Sequence, residues 1–219
     1  MIVLGITGAI ATGKTTVLSW FNQKGFPSLS ADAIVHRLYE TDREVIQHIR
    51  QVFPETYIDG KCDRSRLTQM ISRSSDSTVL LKNLETLERI VHPAVHREMK
   101  SFVNTMQDNN HPLVVLEIPL LFEAKESYDF INITLATYAP RPIQNERIRA
   151  RMLARDATQG TPDAMLMFHI IARQLSSEEK VRRADIAVST HLPQDLLNEC
   201  LEEILAHTLS SVLNKYKNH

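Results

Sequence analysis

Residues Gly8-Ala9-Ile10-Ala11-Thr12-Gly13-Lys14-Thr15 fit G-x-x-x-x-G-K-[ST] without a mismatch. Each part has a chemical task. The glycines let the backbone curl so that successive N–H groups point inward at phosphate oxygens. A helix opening at Lys14 adds the positive end of its dipole. Lys14 then reaches the β- and γ-phosphates, and the Thr15 hydroxyl is the expected protein ligand for Mg²⁺. The pattern therefore predicts a nucleotide site with Mg²⁺.

Nucleotide loops of this kind serve switches, motors and small-molecule kinases. A Ras-type switch carries D-x-x-G and N-K-x-D, and neither occurs here. A kinase needs a base for the acceptor hydroxyl and a basic cover for the phosphates. Asp32, just past a second apolar run, fits the base, or alternatively an N-cap for a helix over Ala33–Glu40. Glu117 ends the run Leu113–Ile118. Burying it unpaired is expensive, so it is expected to support Mg²⁺ or the acceptor, the alternative being a solvent-facing strand end. Arg147, Arg151 and Arg155 have the composition of a lid or, taken singly, of a solvated helix face. His92-Pro93 reads on its own as a helix break.

These residues need a scaffold, and the hydrophobic pattern supplies one. Short apolar runs at Ile2–Ile6, Pro27–Ser30, Leu113–Ile118, Phe130–Leu135 and Ile186–Val188 read as strands. Helical periodicity fills the spaces between them, as in Val17, Leu18 and Phe21 before Gly25. Thr161-Pro162-Asp163 and Ser176…Glu179 are helix-start signals. The expectation is an α/β fold: a doubly wound five-stranded parallel sheet with a helical insertion and a helical lid. The core spans 1–30, 112–139 and 184–219, the insertion 31–111 and the lid 140–183.

Composition narrows the classes further. The chain has 219 residues, 25 Lys+Arg against 26 Asp+Glu, and a net charge of -1. That balance argues against gripping nucleic acid through bulk positive charge. At 43% hydrophobic residues the chain can build a core. No run approaches a membrane span. The segment MIVLGITGAIATGK lacks a basic leader, and Gly5 and Gly8 break its apolar run, so no signal peptide is read there. Cys62 and Cys200 have no metal-ligand spacing. The expected setting is a reducing cytoplasm.

The constellation resembles the dephospho-CoA kinase family from Ile2 to about Thr190. The resemblance is carried, in order, by the loop TGAIATGKTT, Ser30-Ala31-Asp32…His36-Arg37, Asp63-Arg64-Ser65-Arg66-Leu67, His92-Pro93, Pro119-Leu120-Leu121-Phe122-Glu123, Arg155-Asp156 and Gln174-Leu175-Ser176…Glu179-Lys180…Ala184-Asp185. Ser30 stands where the family has an aspartate, Glu117 where aspartate is usual, and Thr190 where asparagine is usual. The resemblance implies that ATP phosphorylates the ribose 3′-hydroxyl of 3′-dephospho-CoA. It implies ATP contacts at Gly8, Ala11, Thr12, Gly13, Lys14, Thr15 and Thr16. It further implies catalytic roles for Asp32, Lys14 and Arg155, and substrate contacts at Asp32, Arg37, Arg64, His92 and Glu117.

Overall fold

The computed structural model describes residues 1–72, 76–124, 127–159 and 173–217, with the side chains of 154–159 and 211–217 left aside. Five strands form one sheet: β1 (Ile2–Gly8), β2 (Ser28–Ser30), β5 (Leu113–Glu117), β6 (Ile133–Tyr138) and β7 (Ile186–Ser189). Their order is β2-β5-β1-β6-β7, and every neighbouring pair is parallel. Parallel pairing forces all five carboxyl ends to one edge, where open α/β sheets hold their ligands.

β1 lies at the centre and is buried along its whole length. Its residues Ile2, Leu4 and Ile6 share one face and pack with Val17, Trp20 and Phe21 of α1 (Lys14–Gln23). Leu197 and Leu201 of the last helix (Gln194–Lys217) close the same core. Fully burying a side chain such as Phe21 contributes roughly 1.5–3 kcal/mol, so the element carrying Lys14 and Thr15 is firmly seated.

The chain divides into two compact units. One comprises Met1–Ala31, Met99–Ile148 and Gln174–His219 and contains the sheet. The other comprises Asp32–Glu98 and Arg149–Arg173. Within the second, α2 (Ala31–Thr41), α3 (Arg43–Val52) and α4 (Arg64–Ser72) precede the long α5 (Ser77–Asp108), which runs on into the first unit. Ile34, Leu38, Ile49, Leu67 and Leu80 of this unit are buried.

Four expectations are corrected. Strand β6 begins at Ile133, later than the apolar run at Phe130. Asn132 sets the start: its side chain accepts the Val3 N–H at 2.8 Å and its own N–H donates to the Val3 carbonyl at 2.9 Å. Ile131 meanwhile packs beside Gly5. A hairpin, β3 (Tyr57–Ile58) with β4 (Lys61–Cys62), interrupts the helical stretch around Asp59-Gly60, a dipeptide that favours two-residue turns. Helix α5 continues through Pro93 for 32 residues, so His92-Pro93 breaks nothing; a proline removes only one intrahelical donor, which a long packed helix tolerates. Finally, α2 starts at Ala31 and holds Asp32 inside its first turn, not at a cap before Ala33. The helix start read at Thr161-Pro162-Asp163 lies outside the described residues.

Candidate active site

The phosphate loop leaves β1 at Gly8 and enters α1 at Lys14, with Gly13 as the N-cap residue. Both glycines are sterically required. A Cβ on Gly8 would stand 2.6 Å from Thr12 Oγ1 and 2.7 Å from the Thr137 carbonyl oxygen. Gly13 has φ +80, and a Cβ there would stand 2.8 Å from Thr190 Cβ. Ala11 also takes a left-handed φ of 60 and is buried. That conformation is disfavoured by about 1–2 kcal/mol for an L-residue, so the loop's surroundings must hold it.

Threonines and one arginine do the holding. Thr12 is buried, donates to the Ala9 carbonyl at 2.8 Å and shares a 2.8 Å hydrogen bond with Thr137 of β6. Thr190, just beyond β7, donates to the Thr12 carbonyl at 2.8 Å. Arg147 of α6 (Arg141–Gln159) donates to the Ala11 carbonyl at 3.2 Å and to the Thr190 hydroxyl and carbonyl at 3.0 and 2.8 Å. Arg147 is thus bonded to the phosphate loop and to the segment after β7, which sets aside its alternative reading as part of a solvated helix face. The tripled threonine support carried no pattern in the sequence that could have revealed it.

Lys14 curls over the loop, with its ammonium donating to the Gly8 and Ala9 carbonyls at 3.0 Å each. No acidic residue occupies the first turn of α1, so the positive end of that helix is available to an anion. Thr15 and Thr16 follow on that turn, both exposed. Thr15 Oγ1 donates to Glu117 Oε1 at 3.3 Å. Glu117 ends β5 between Ile6 and Ser30 in register and is only 3% exposed. The solvent-facing alternative for Glu117 is therefore excluded. Its carboxylate and the Thr15 hydroxyl offer hard oxygen atoms at the phosphate loop, a donor set suited to Mg²⁺, which takes few protein ligands and completes its shell with phosphates and water.

The remaining residues named from the sequence belong to the second unit. Asp32 is exposed in the first turn of α2. Arg37, also on α2, donates to Glu98 of α5 at 2.7 Å. Arg64 opens α4 and contacts His36 of α2, so α2 and α4 bring these two groups together. His92 sits on α5, half-buried. Arg155 falls on α6, and its side chain lies outside the described residues.

A second polar centre went without a role in the sequence reading. Lys180, on α7 (Ser177–Arg183), has a fully buried side chain paired with Glu123 at 2.7 Å. Its ammonium also donates to the Pro119 carbonyl at 2.7 Å. Burial pushes the ammonium below the ordinary lysine value, against the raising effect of Glu123. Ser176 caps α7 by accepting the Glu179 N–H at 3.1 Å, while the Glu179 carboxylate pairs with Arg182 and Arg183.

Comparison with known proteins converges with this geometry. A family model described as dephospho-CoA kinase matches residues 2–192. A dephospho-CoA kinase of Rhodopseudomonas palustris (strain HaA2) is 36% identical over 205 residues, covering 94% of each chain. A crystal structure from Thermus thermophilus is similar at a TM-score of 0.68 and 31% identity, covering 96% of this chain and 97% of that one. A dephospho-CoA kinase structure from Campylobacter jejuni shares the fold at a TM-score of 0.64 and 21% identity, covering 95% and 98%. The matched span takes in the phosphate loop, the Thr15–Glu117 pair and the Lys180–Glu123 pair, and the chain belongs to the dephospho-CoA kinase family.

Proposed function

We propose that this chain transfers the γ-phosphoryl group of ATP to the ribose 3′-hydroxyl of 3′-dephospho-CoA, giving coenzyme A and ADP. The observation that carries the reading is the phosphate loop with Thr15 hydrogen-bonded to the buried Glu117. In the reaction the acceptor oxygen forms a bond to the γ-phosphorus, the bond to the bridging oxygen breaks, and ADP leaves. The hydroxyl is a poor nucleophile, and the Asp32 carboxylate orients it and takes its proton. Asp32 is two residues past the end of β2, in the first turn of α2, and is exposed.

Lys14 exchanges its two loop carbonyls for phosphate oxygens and stabilises the charge that develops on them. Backbone N–H groups from Gly8 to Thr16 hold the β-phosphate side. Thr15, with Glu117 behind it, would hold Mg²⁺. Bound there, Mg²⁺ supplies charge neutralisation on the phosphates. Arg155 covers the transferring group, while Arg37, Arg64 and His92 contact the acceptor, with Arg37 released from Glu98 to do so. The work belongs to a cytoplasmic setting.

A coupled assay of ADP release tests this reading, with dephospho-CoA, AMP, CMP and adenosine compared as acceptors. Turnover confined to dephospho-CoA is expected, with the product carrying a 3′-phosphate. Asp32→Asn should lower turnover by about a hundredfold or more, the low end of general-base contributions, with ATP affinity little changed. Turnover within about threefold of wild type would remove Asp32 from the base role.

A further inference from the structure

Lys180 presents a problem of physical chemistry. An ammonium with no solvent exposure, beside a carboxylate that is itself mostly buried, is a poor device for stability. Well-packed apolar residues at such a pair commonly serve as well or better. What an apolar pair cannot do is hold main-chain polar groups at fixed points. Lys180 and Glu123 hold two. Lys180 donates to the Pro119 carbonyl at 2.7 Å, and Glu123 accepts the Leu175 N–H at 2.8 Å. The Pro119 carbonyl also accepts the Thr7 hydroxyl at 3.2 Å.

Pro119 is two residues past Glu117, and Thr7 is the residue before Gly8. One carbonyl oxygen therefore joins the exit of β5, which carries Glu117, to the exit of β1, which starts the phosphate loop. The Ile118 N–H, donating to the Ile6 carbonyl at 2.8 Å, adds a second tie between the same two strand ends. Lys180 supplies the only charged donor to that junction among the described residues. The ammonium donates to the Pro119 carbonyl and to Glu123 Oε2 at 2.9 Å, and pairs with Glu123 Oε1 at 2.7 Å.

We infer that Lys180, with Glu123, is a positioning residue of the active site, fixing the segment after β5 so that Glu117 stays aligned with Thr15 and the phosphate loop. It touches no substrate and acts through the Pro119 carbonyl. The inference rests on the phosphoryl-transfer reading above. Loss of the pair should misplace Glu117 and weaken the Mg²⁺ response, an effect on the scale of about 10–100-fold found when groups supporting a metal's ligands are removed.

The test compares wild type, Glu123→Gln, and the double variant Lys180→Met with Glu123→Leu. Each is checked for folding by circular dichroism and thermal melting, then assayed for turnover against ATP, dephospho-CoA and Mg²⁺. The double variant removes the buried charges together, so it should melt near wild type. Its half-saturating Mg²⁺ should rise about tenfold or more and its turnover should fall, with KM for dephospho-CoA within about twofold. A folded double variant with wild-type turnover and an unchanged Mg²⁺ titration overturns the inference and leaves the pair a fold staple. If the double variant does not fold, Glu123→Gln decides: a raised Mg²⁺ requirement supports positioning, and wild-type kinetics overturn it. Wild type inactive on dephospho-CoA would instead remove the phosphoryl-transfer reading itself.

Discussion

Glu117→Gln probes the proposed Mg²⁺ support while changing almost nothing else. The amide has the shape of the carboxylate and keeps an oxygen that can accept from Thr15, whose hydroxyl lies at 3.3 Å. What disappears is one negative charge at a position only 3% exposed, where water cannot replace it. Removing a group that supports a metal's ligands raises the metal requirement about 10–100-fold, equivalent to about 1.4–2.8 kcal/mol. Fold stability should move by no more than about 1 kcal/mol, because the hydrogen bond survives and a buried charge is removed. Initial rates of ADP release at saturating ATP and dephospho-CoA, measured across a Mg²⁺ series, read the first quantity. A urea melt reads the second. An unchanged Mg²⁺ titration in a folded Glu117→Gln protein would refute the assignment and make the Thr15–Glu117 pair a structural tie.

Lys14→Ala should cost at least about a hundredfold in turnover, the scale of one strong electrostatic contact deleted from a transition state; near wild-type rates from a folded protein would contradict the phosphate-loop mechanism. Gly13→Ala forces a side chain into φ +80 and to 2.8 Å from Thr190, which Arg147 and the Thr12 carbonyl already hold in place. Urea unfolding should show a loss of about 2–4 kcal/mol from backbone strain and overpacking together, and equal stability would mean that Thr190 yields. Burial pushes the Cys62 thiol up from its ordinary value, and the residue is 6% exposed, whereas Cys200 is half-buried. A disulfide reagent near neutral pH should therefore modify Cys200 first and Cys62 only as the protein opens; two equally fast thiols would show Cys62 to be accessible.

The sequence alone determined the elements whose signal is local. The phosphate loop was legible because its glycines, lysine and threonine occupy fixed offsets between a buried strand and a helix, and β1 and β5 were legible because a strand covered on both faces is apolar throughout. The start of β6 was not legible, since Phe130-Ile131 is as apolar as a strand. Pairing of Asn132 with the Val3 backbone, across the sheet, decides where extension begins. Asp32 and Glu117 could be singled out as carboxylates near strand ends, but whether each was buried or exposed depended on what packed around it. Register puts Glu117 between Ile6 and Ser30 and closes it off, whereas the first turn of α2 leaves Asp32 open. Arg147 and Lys180 show the limit most sharply. Neither residue type announces a buried partner, yet one is bonded to the loop carbonyl of Ala11 and the other is sealed against Pro119 and Glu123. Their partners lie 136 and 61 residues away in the chain, and no local pattern encodes a contact of that range; only the folding of the sheet brings a main-chain oxygen to a side chain that needs one.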